Sequence, residues 1–247
     1  MAVPAELQFA MVVALIYLLD CVLFLHVNEA VIERGRRKRI LFGSAQPWIA
    51  GRRVLLLAPW RPLATAWRYA WSVRDTLDAP AGSEAARAEV DARANGIRRL
   101  APSVVLVWVL VLLATPAALL LATIPVFVIV AAVAWLSVWI LVLRLALLRR
   151  ALGLGWGGFA QVAFECLACP PVAANLPRKL SLRLSPTIDL VAFVDDAERA
   201  QVHAQLVHDL DARLVFLEPG SPAHDRALAY RDLLDAAPDA NATRGGC

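Results

Sequence analysis

The chain has 247 residues, a formal net charge of +4, 60% hydrophobic residues and a mean hydropathy of +0.60. A soluble domain is nearer about 45–50% apolar, so the chain is not composed like an ordinary soluble globule. Its four cysteines, Cys21, Cys166, Cys169 and Cys247, do not make a disulfide framework. The charge is split: residues 28–100 carry a net +7 and residues 186–247 a net −6. A basic block can serve nucleic acid, but one placed beside membrane segments favours anionic lipid headgroups, so no nucleic-acid partner is expected.

Leu7 to Val27 is apolar apart from Gln8, Asp20 and His26 and reads as a first spanning helix. A signal peptide would need a basic start and a small-residue cleavage site, and neither is present. The flank that follows holds Arg34, Arg36, Arg37, Lys38 and Arg39. The positive-inside rule then places the N-terminus outside and this flank in the cytoplasm.

Residues 35–100 form a basic cytoplasmic loop long enough to fold. Short strands are expected over Arg37–Phe42 and Arg52–Ala58, punctuated by Gly43, Ser44, Pro47 and Gly51. Over Pro59–Asp75, helical spacing puts Trp60, Leu63, Ala64, Trp67, Ala70 and Trp71 on one face, with Arg61 and Arg68 largely off it. That pattern predicts a helix in the headgroup layer, with Trp60, Trp67, Trp71, Arg61 and Arg68 as membrane-interface residues; a helix packed on the cytosolic domain fits equally. Asp78–Gly96 reads as a loop and a solvent-exposed helix.

Leu100–Leu143 contains no charged residue and is closed by Arg99 and Arg144. At about 1.5 Å per residue it is too long for one crossing of a hydrocarbon core about 30 Å thick and right for two. Pro116, Thr123 and Pro125 are the local breakers, and the turn is expected near Ala122–Pro125. Arg144, Arg149 and Arg150 mark a second cytoplasmic exit.

Gly153, Gly155 and Gly158 match a dinucleotide-binding glycine pattern, but that fingerprint needs a preceding strand, and here a membrane helix precedes; a turn at the membrane surface is expected. Pro177–Ser185 alternates like an edge strand, and Thr187–Val194 reads as a strand. Asp195, with Glu198 three residues on, starts a helix running to about Arg213. A strand over Leu214–Leu217 and a helix over Ala223–Ala236 follow, giving a β-α-β-α order, with a disordered tail over 238–247. Those strands are expected to pair with strands of residues 37–58.

Cys166-Leu-Ala-Cys169 is the sharpest chemical motif: a candidate redox dithiol, or half of a zinc site completed by His203 and His208. The linker between those halves far exceeds that of a zinc finger, and five residues' separation puts the two histidines poorly on one helical face, so partly buried structural cysteines are the plainer reading. Asp195 and Asp196 read as capping residues. Asp20 is the acid well inside a span, and its depth matches that of Arg144, which predicts an intramembrane Asp20–Arg144 pair.

The expected fold is membrane α-helical, three spanning helices including a tight hairpin, with a small α+β cytosolic domain. Its parts are an N-terminal transmembrane helix (1–34), the basic loop (35–100), the hairpin (101–150), an α+β region (151–237) and the tail (238–247). The expected protein is a multi-pass component of a bacterial inner membrane, N-terminus outside and C-terminus inside. A non-catalytic interaction or assembly role, with the bilayer and a protein partner or second copy as contacts and no cofactor, fits best. The alternatives are a thiol or metal enzyme using Cys166 and Cys169, and an oligomeric transporter subunit built around Asp20.

Overall fold

The computed structural model describes residues 4–26, 29–35, 38–43, 52–70, 83–121, 123–185 and 196–236. The first element is helix α1 (Ala5–Asp20). It stops short of the expected span Leu7–Val27, because Cys21 turns the chain and Val22–Leu25 forms strand β1. Hydropathy counts Val22-Leu23-Phe24-Leu25 as membrane, but a β-branched and aromatic run of this kind also suits a strand. Sixteen helical residues reach about 24 Å, short of a full hydrocarbon core.

Among the described residues, five strands follow in two small sheets. Strand β1 pairs antiparallel with β4 (Arg53–Leu56). Strand β2 (Glu29–Arg34) is the centre of the second sheet, between β3 (Lys38–Leu41) and β5 (Thr65–Ala70), both antiparallel to it. The strands expected near residues 37–42 and 52–58 are therefore present, but they pair with residues 22–34 rather than with the C-terminal region. Register explains the sheet's two buried faces. Ala30 and Ile32 lie opposite Tyr69 and Trp67, and all four enter the main core. Val31 and Ala66 face the other way, onto Leu25, Leu55 and Leu57 from the β1–β4 ribbon.

The interfacial helix expected over Pro59–Asp75 is, as far as Ala70, a turn and a strand; residues 71–75 lie outside the described residues. Trp67 is fully buried beneath the sheet. Its spacing fits a helix face, but the alternation of Trp67 and Tyr69 against Ala66 and Arg68 is what packing selects.

Helix α2 (Ser83–Arg98) leads to the apolar hairpin. It is not wholly solvated: Val90, Ala94 and Ile97 enter the core. Gly96 lets it close on the turn beyond the hairpin, where a Cβ would come within 2.7 Å of Leu152 Cδ2. Helix α3 (Ala101–Leu121) and helix α4 (Ile124–Leu148) are, among the described residues, the two long and apolar enough to cross a membrane. The break between them falls where Thr123 and Pro125 predict it. Helix α3 carries a π turn over Leu110–Ala114, just before Thr115-Pro116. Proline cannot donate to the preceding turn, and Thr115 Oγ1 bonds the Leu110 carbonyl at 2.7 Å beside the widened turn.

After α4 come a turn with Gly153 at positive φ, helix α5 (Trp156–Ala168), the short α6 (Pro170–Ala173) and α7 (Leu176–Arg183). The edge strand expected over Pro177–Ser185 is instead α7. Leu176, Leu180 and Leu184 recur every fourth residue and are all buried, which is helical periodicity. Helices α8 (Asp196–Leu214) and α9 (Pro222–Ala236) match expectation, whereas Leu214–Leu217 forms the end of α8 and a turn, not a strand. Among the described residues beyond the hairpin there is no strand. Trp71, Thr187–Val194, Asp195, Cys247 and the tail lie outside the described residues.

Candidate functional site

The polar centre of the molecule lies where α1 ends. Three elements distant in sequence converge there: the α1–β1 turn, the β4–β5 connection and the α6–α7 corner. The proline pair Pro170-Pro171 starts α6 and cannot continue α5, so the chain reverses and delivers Asn175 and Arg178 inward. Both are buried.

Arg178 spreads its fork over four acceptors. Nη1 donates to Asn175 Oδ1 at 3.1 Å and to Cys21 Sγ at 3.2 Å. Nη2 donates to the carbonyls of Ala58 and of Arg61, the latter at 2.8 Å. Asn175 Nδ2 turns to Cys21 Sγ at 3.3 Å and the Tyr17 carbonyl at 3.5 Å. Tyr17 accepts from Trp108 Nε1 at 3.1 Å and donates to the Pro59 carbonyl. One guanidinium thereby ties the end of α1, the loop before β5 and the start of α7.

Beside it runs a chain of alternating charge. Lys179 Nζ lies 2.9 Å from Asp20 Oδ1 and 3.1 Å from Glu165 Oε2, and Arg183 Nη2 lies 2.6 Å from Glu165 Oε1. Burial works to lower the Lys179 pKa, but its bonds to Asp20 and Glu165 outweigh that and hold it above the usual 10.5. Burial likewise pulls Glu165 upward, and Lys179 and Arg183 reverse it to below the usual 4.5. Both groups are therefore charged throughout the neutral range.

The structure does not bring Asp20 and Arg144 together. Helix α7 supplies Lys179 to Asp20, while Arg144 donates to Ser103 Oγ at 2.7 Å across the α3–α4 pair. The two charges sit at the ends of their helices, where a third element can reach one of them first.

Cys166 is buried and Cys169 half-buried. Burial pushes the Cys166 thiol up to about 12, the reverse of what a nucleophilic or redox cysteine needs. His203 and His208 are on α8, and among the described residues no three His, Cys, Asp or Glu side chains gather so as to hold a metal ion. Of the expected interface residues, Trp60 is 73% exposed, Arg61 lies 3.8 Å from Glu33 and Arg68 lies 3.8 Å from Glu29.

A buried ion pair, also missed from sequence, joins the β1–β4 ribbon to the C-terminal helices. Arg53 Nη2 meets Asp209 Oδ1 at 2.7 Å and Oδ2 at 2.8 Å, and Nη1 bonds the Phe42 carbonyl at 2.9 Å. The signal for Arg178 was legible in one respect: it stands with Asn175 and Lys179 in a long apolar stretch. Two of its four acceptors are backbone carbonyls, which leave no sequence trace, and the Cys21 thiol lies 157 residues away.

Comparison of the chain with family models, curated proteins and solved structures finds no match.

Proposed function

We propose that the protein is an integral inner-membrane protein of bacterial type, with three spanning helices, its N-terminus outside and its sheet-bearing part in the cytoplasm. On this reading its role is non-catalytic: a membrane-anchored interaction or assembly component. The observation that carries it is the segregation of the molecule. Helix α1 packs against the Thr115–Leu121 end of α3 and passes Trp108, so it lies beside the hairpin and antiparallel to α3. The strands and the charged helices then emerge at one end, marked by Asp20, Arg99 and Arg144.

Two properties support the membrane part. The most apolar windows of α3 and α4 are only 17% and 28% buried, which supports helices that face lipid over core helices of a soluble domain. Leu7, Met11, Leu15 and Leu19 on α1, like Ile124, Ile129, Leu136 and Leu143 on α4, face outward, an apolar surface that water does not tolerate at this extent. The assembly part rests on the polar junction. Its hydrogen bonds run to fixed carbonyls and to one another, as in a joint that holds elements in place. Trp60, beside the Pro59 and Arg61 carbonyls of that joint, sits at the level where α1 ends and suits the headgroup layer.

The test is topology with stoichiometry. A reporter active only in the cytoplasm should work after Cys247 and fail before Leu7. Cross-linking in intact membranes should recover a partner, or a second copy, at fixed ratio. An active N-terminal reporter overturns the orientation, and a monodisperse lone chain after cross-linking overturns the assembly role.

A further inference from the structure

We propose that α5 is a membrane-contact helix outside the spans, lying in the boundary between headgroups and acyl chains and presenting Trp156, Ala160 and Phe164 to lipid. This rests on the membrane reading above.

Helix α5 is apolar on two faces. Its inner face, with Val162, Ala163 and Cys166, joins the core that holds Leu141 and Leu145 of α4. Its outer face repeats every fourth residue: Trp156, Ala160 and Phe164. Trp156 is 67% exposed and Phe164 73%, far more than a docked aromatic retains. The inner face already accounts for packing, so the outer stripe has an occupant of its own.

Three observations favour lipid. The helix begins eight residues after α4 ends and packs along it, so the stripe continues the apolar surface of the span, where Leu143 and Leu147 face outward. Its level is set by charge: Glu165, next to Phe164, is joined through Lys179 to Asp20, at the end of α1. Phe164 therefore stands where the outward Leu18 and Leu19 of α1 end. The third is the Arg149 guanidinium, 3.9 Å above the Trp156 ring, with Arg150 beside it. A cation over an outward tryptophan at the end of a span matches an anionic headgroup layer.

A diazirine amino acid placed at position 156 or 164 of the full chain, in vesicles of phosphatidylcholine and phosphatidylglycerol, reads the occupant directly after irradiation. The native cysteines stay untouched. Positions 113 on α3 and 11 on α1 report the spans, and Phe216, exposed in the turn after α8, reports water. Lipid adducts at 156 and 164 should approach those at 113 and exceed those at 216 about tenfold. Water adducts at 156 and 164 with lipid at 113 overturn the proposal and leave the hairpin reading standing. Cross-links to a second chain assign the stripe to self-association instead and also overturn it. Absence of lipid at 113 removes the membrane reading and this proposal with it, and absence at 11 alone removes only the third span.

Discussion

Arg178 is the residue on which the junction turns, and its chemistry sets the cost of losing it. Water cannot easily replace its donors at buried carbonyls, and each hydrogen bond from a charged group is worth about 1.5–3 kcal/mol. Arg178→Met should destabilise the detergent-solubilised protein by at least about 3 kcal/mol, and Arg178→Lys should not restore it, because an ammonium lacks the planar fork. Equal stability of the Lys variant and the wild type would remove the four-acceptor account. The neighbouring charges make a sharper test. Asp20→Asn and Lys179→Met should be non-additive, since they share a contact, whereas Asp20→Asn and Arg144→Gln should add. Their pH dependence has a definite sign. Glu165 is held low, so its contribution is present above 4.5 and lost as pH falls through its folded value. Lys179 is held high, so its contribution is full below 10.5 and lost as pH rises through its folded value. Unfolding midpoints measured across pH should be flat with respect to this pair between those limits; in Glu165→Gln the acid decline should become shallower.

At the scale of elements, α7 completes β5. The strand's outer edge would leave amides bare, and a serine on α7 and another just past its end take them up: the Ala66 N–H donates to Ser181 Oγ at 2.8 Å and the Arg68 N–H to Ser185 Oγ at 2.7 Å. Ser181 is itself buried, so Ser181→Ala should cost about 1–3 kcal/mol by orphaning an amide, with faster hydrogen exchange confined to β5. Unchanged exchange there would show that the edge finds another acceptor. The tryptophans separate the elements further. Lipid-borne quenchers should respond to Trp60→Phe and be indifferent to Trp67→Phe, because Trp67 is sealed beneath the sheet. The same elements show what the sequence could and could not disclose. The hairpin and its turn were legible, since an uncharged run of that length has few alternatives. The two strands near 37–42 and 52–58 and the last helices were legible from turn residues and capping. The described part of Pro59–Asp75, to Ala70, and Pro177–Ser185 were misread in opposite directions, helix for strand and strand for helix. Each run is short enough to fit both periods, and the choice was made by the other: β5 needs α7 against its edge, and α7 needs Leu176, Leu180 and Leu184 on one side. The Asp20 partner was misassigned for a related reason. The reversal at Pro170-Pro171 that brings Lys179 to Asp20 is a tertiary fact.

At the scale of the whole molecule, apolar packing and a buried pair help to hold the acidic C-terminal helices to the basic half. Val202, Leu206, Leu210 and Ala227 contribute to the main core, and Arg53 with Asp209 makes the charged link. A buried pair of this kind adds little net stability over well-packed apolar side chains, because desolvation offsets the attraction. Breaking it from one side is another matter. Asp209→Asn leaves the buried Arg53 charge without its carboxylate and should cost about 3–5 kcal/mol, whereas the double replacement Arg53→Met with Asp209→Leu should recover most of that loss. The loss should also be local. Helices α3 and α4 make their own contacts with α5 and α6, so their exchange protection should persist in Asp209→Asn while protection of α8 and α9 falls. Hydrogen exchange resolved by mass spectrometry distinguishes the two regions. Uniform loss across both would show that the molecule unfolds as one unit; full protection of α8 in Asp209→Asn would show that apolar packing alone docks the acidic helices.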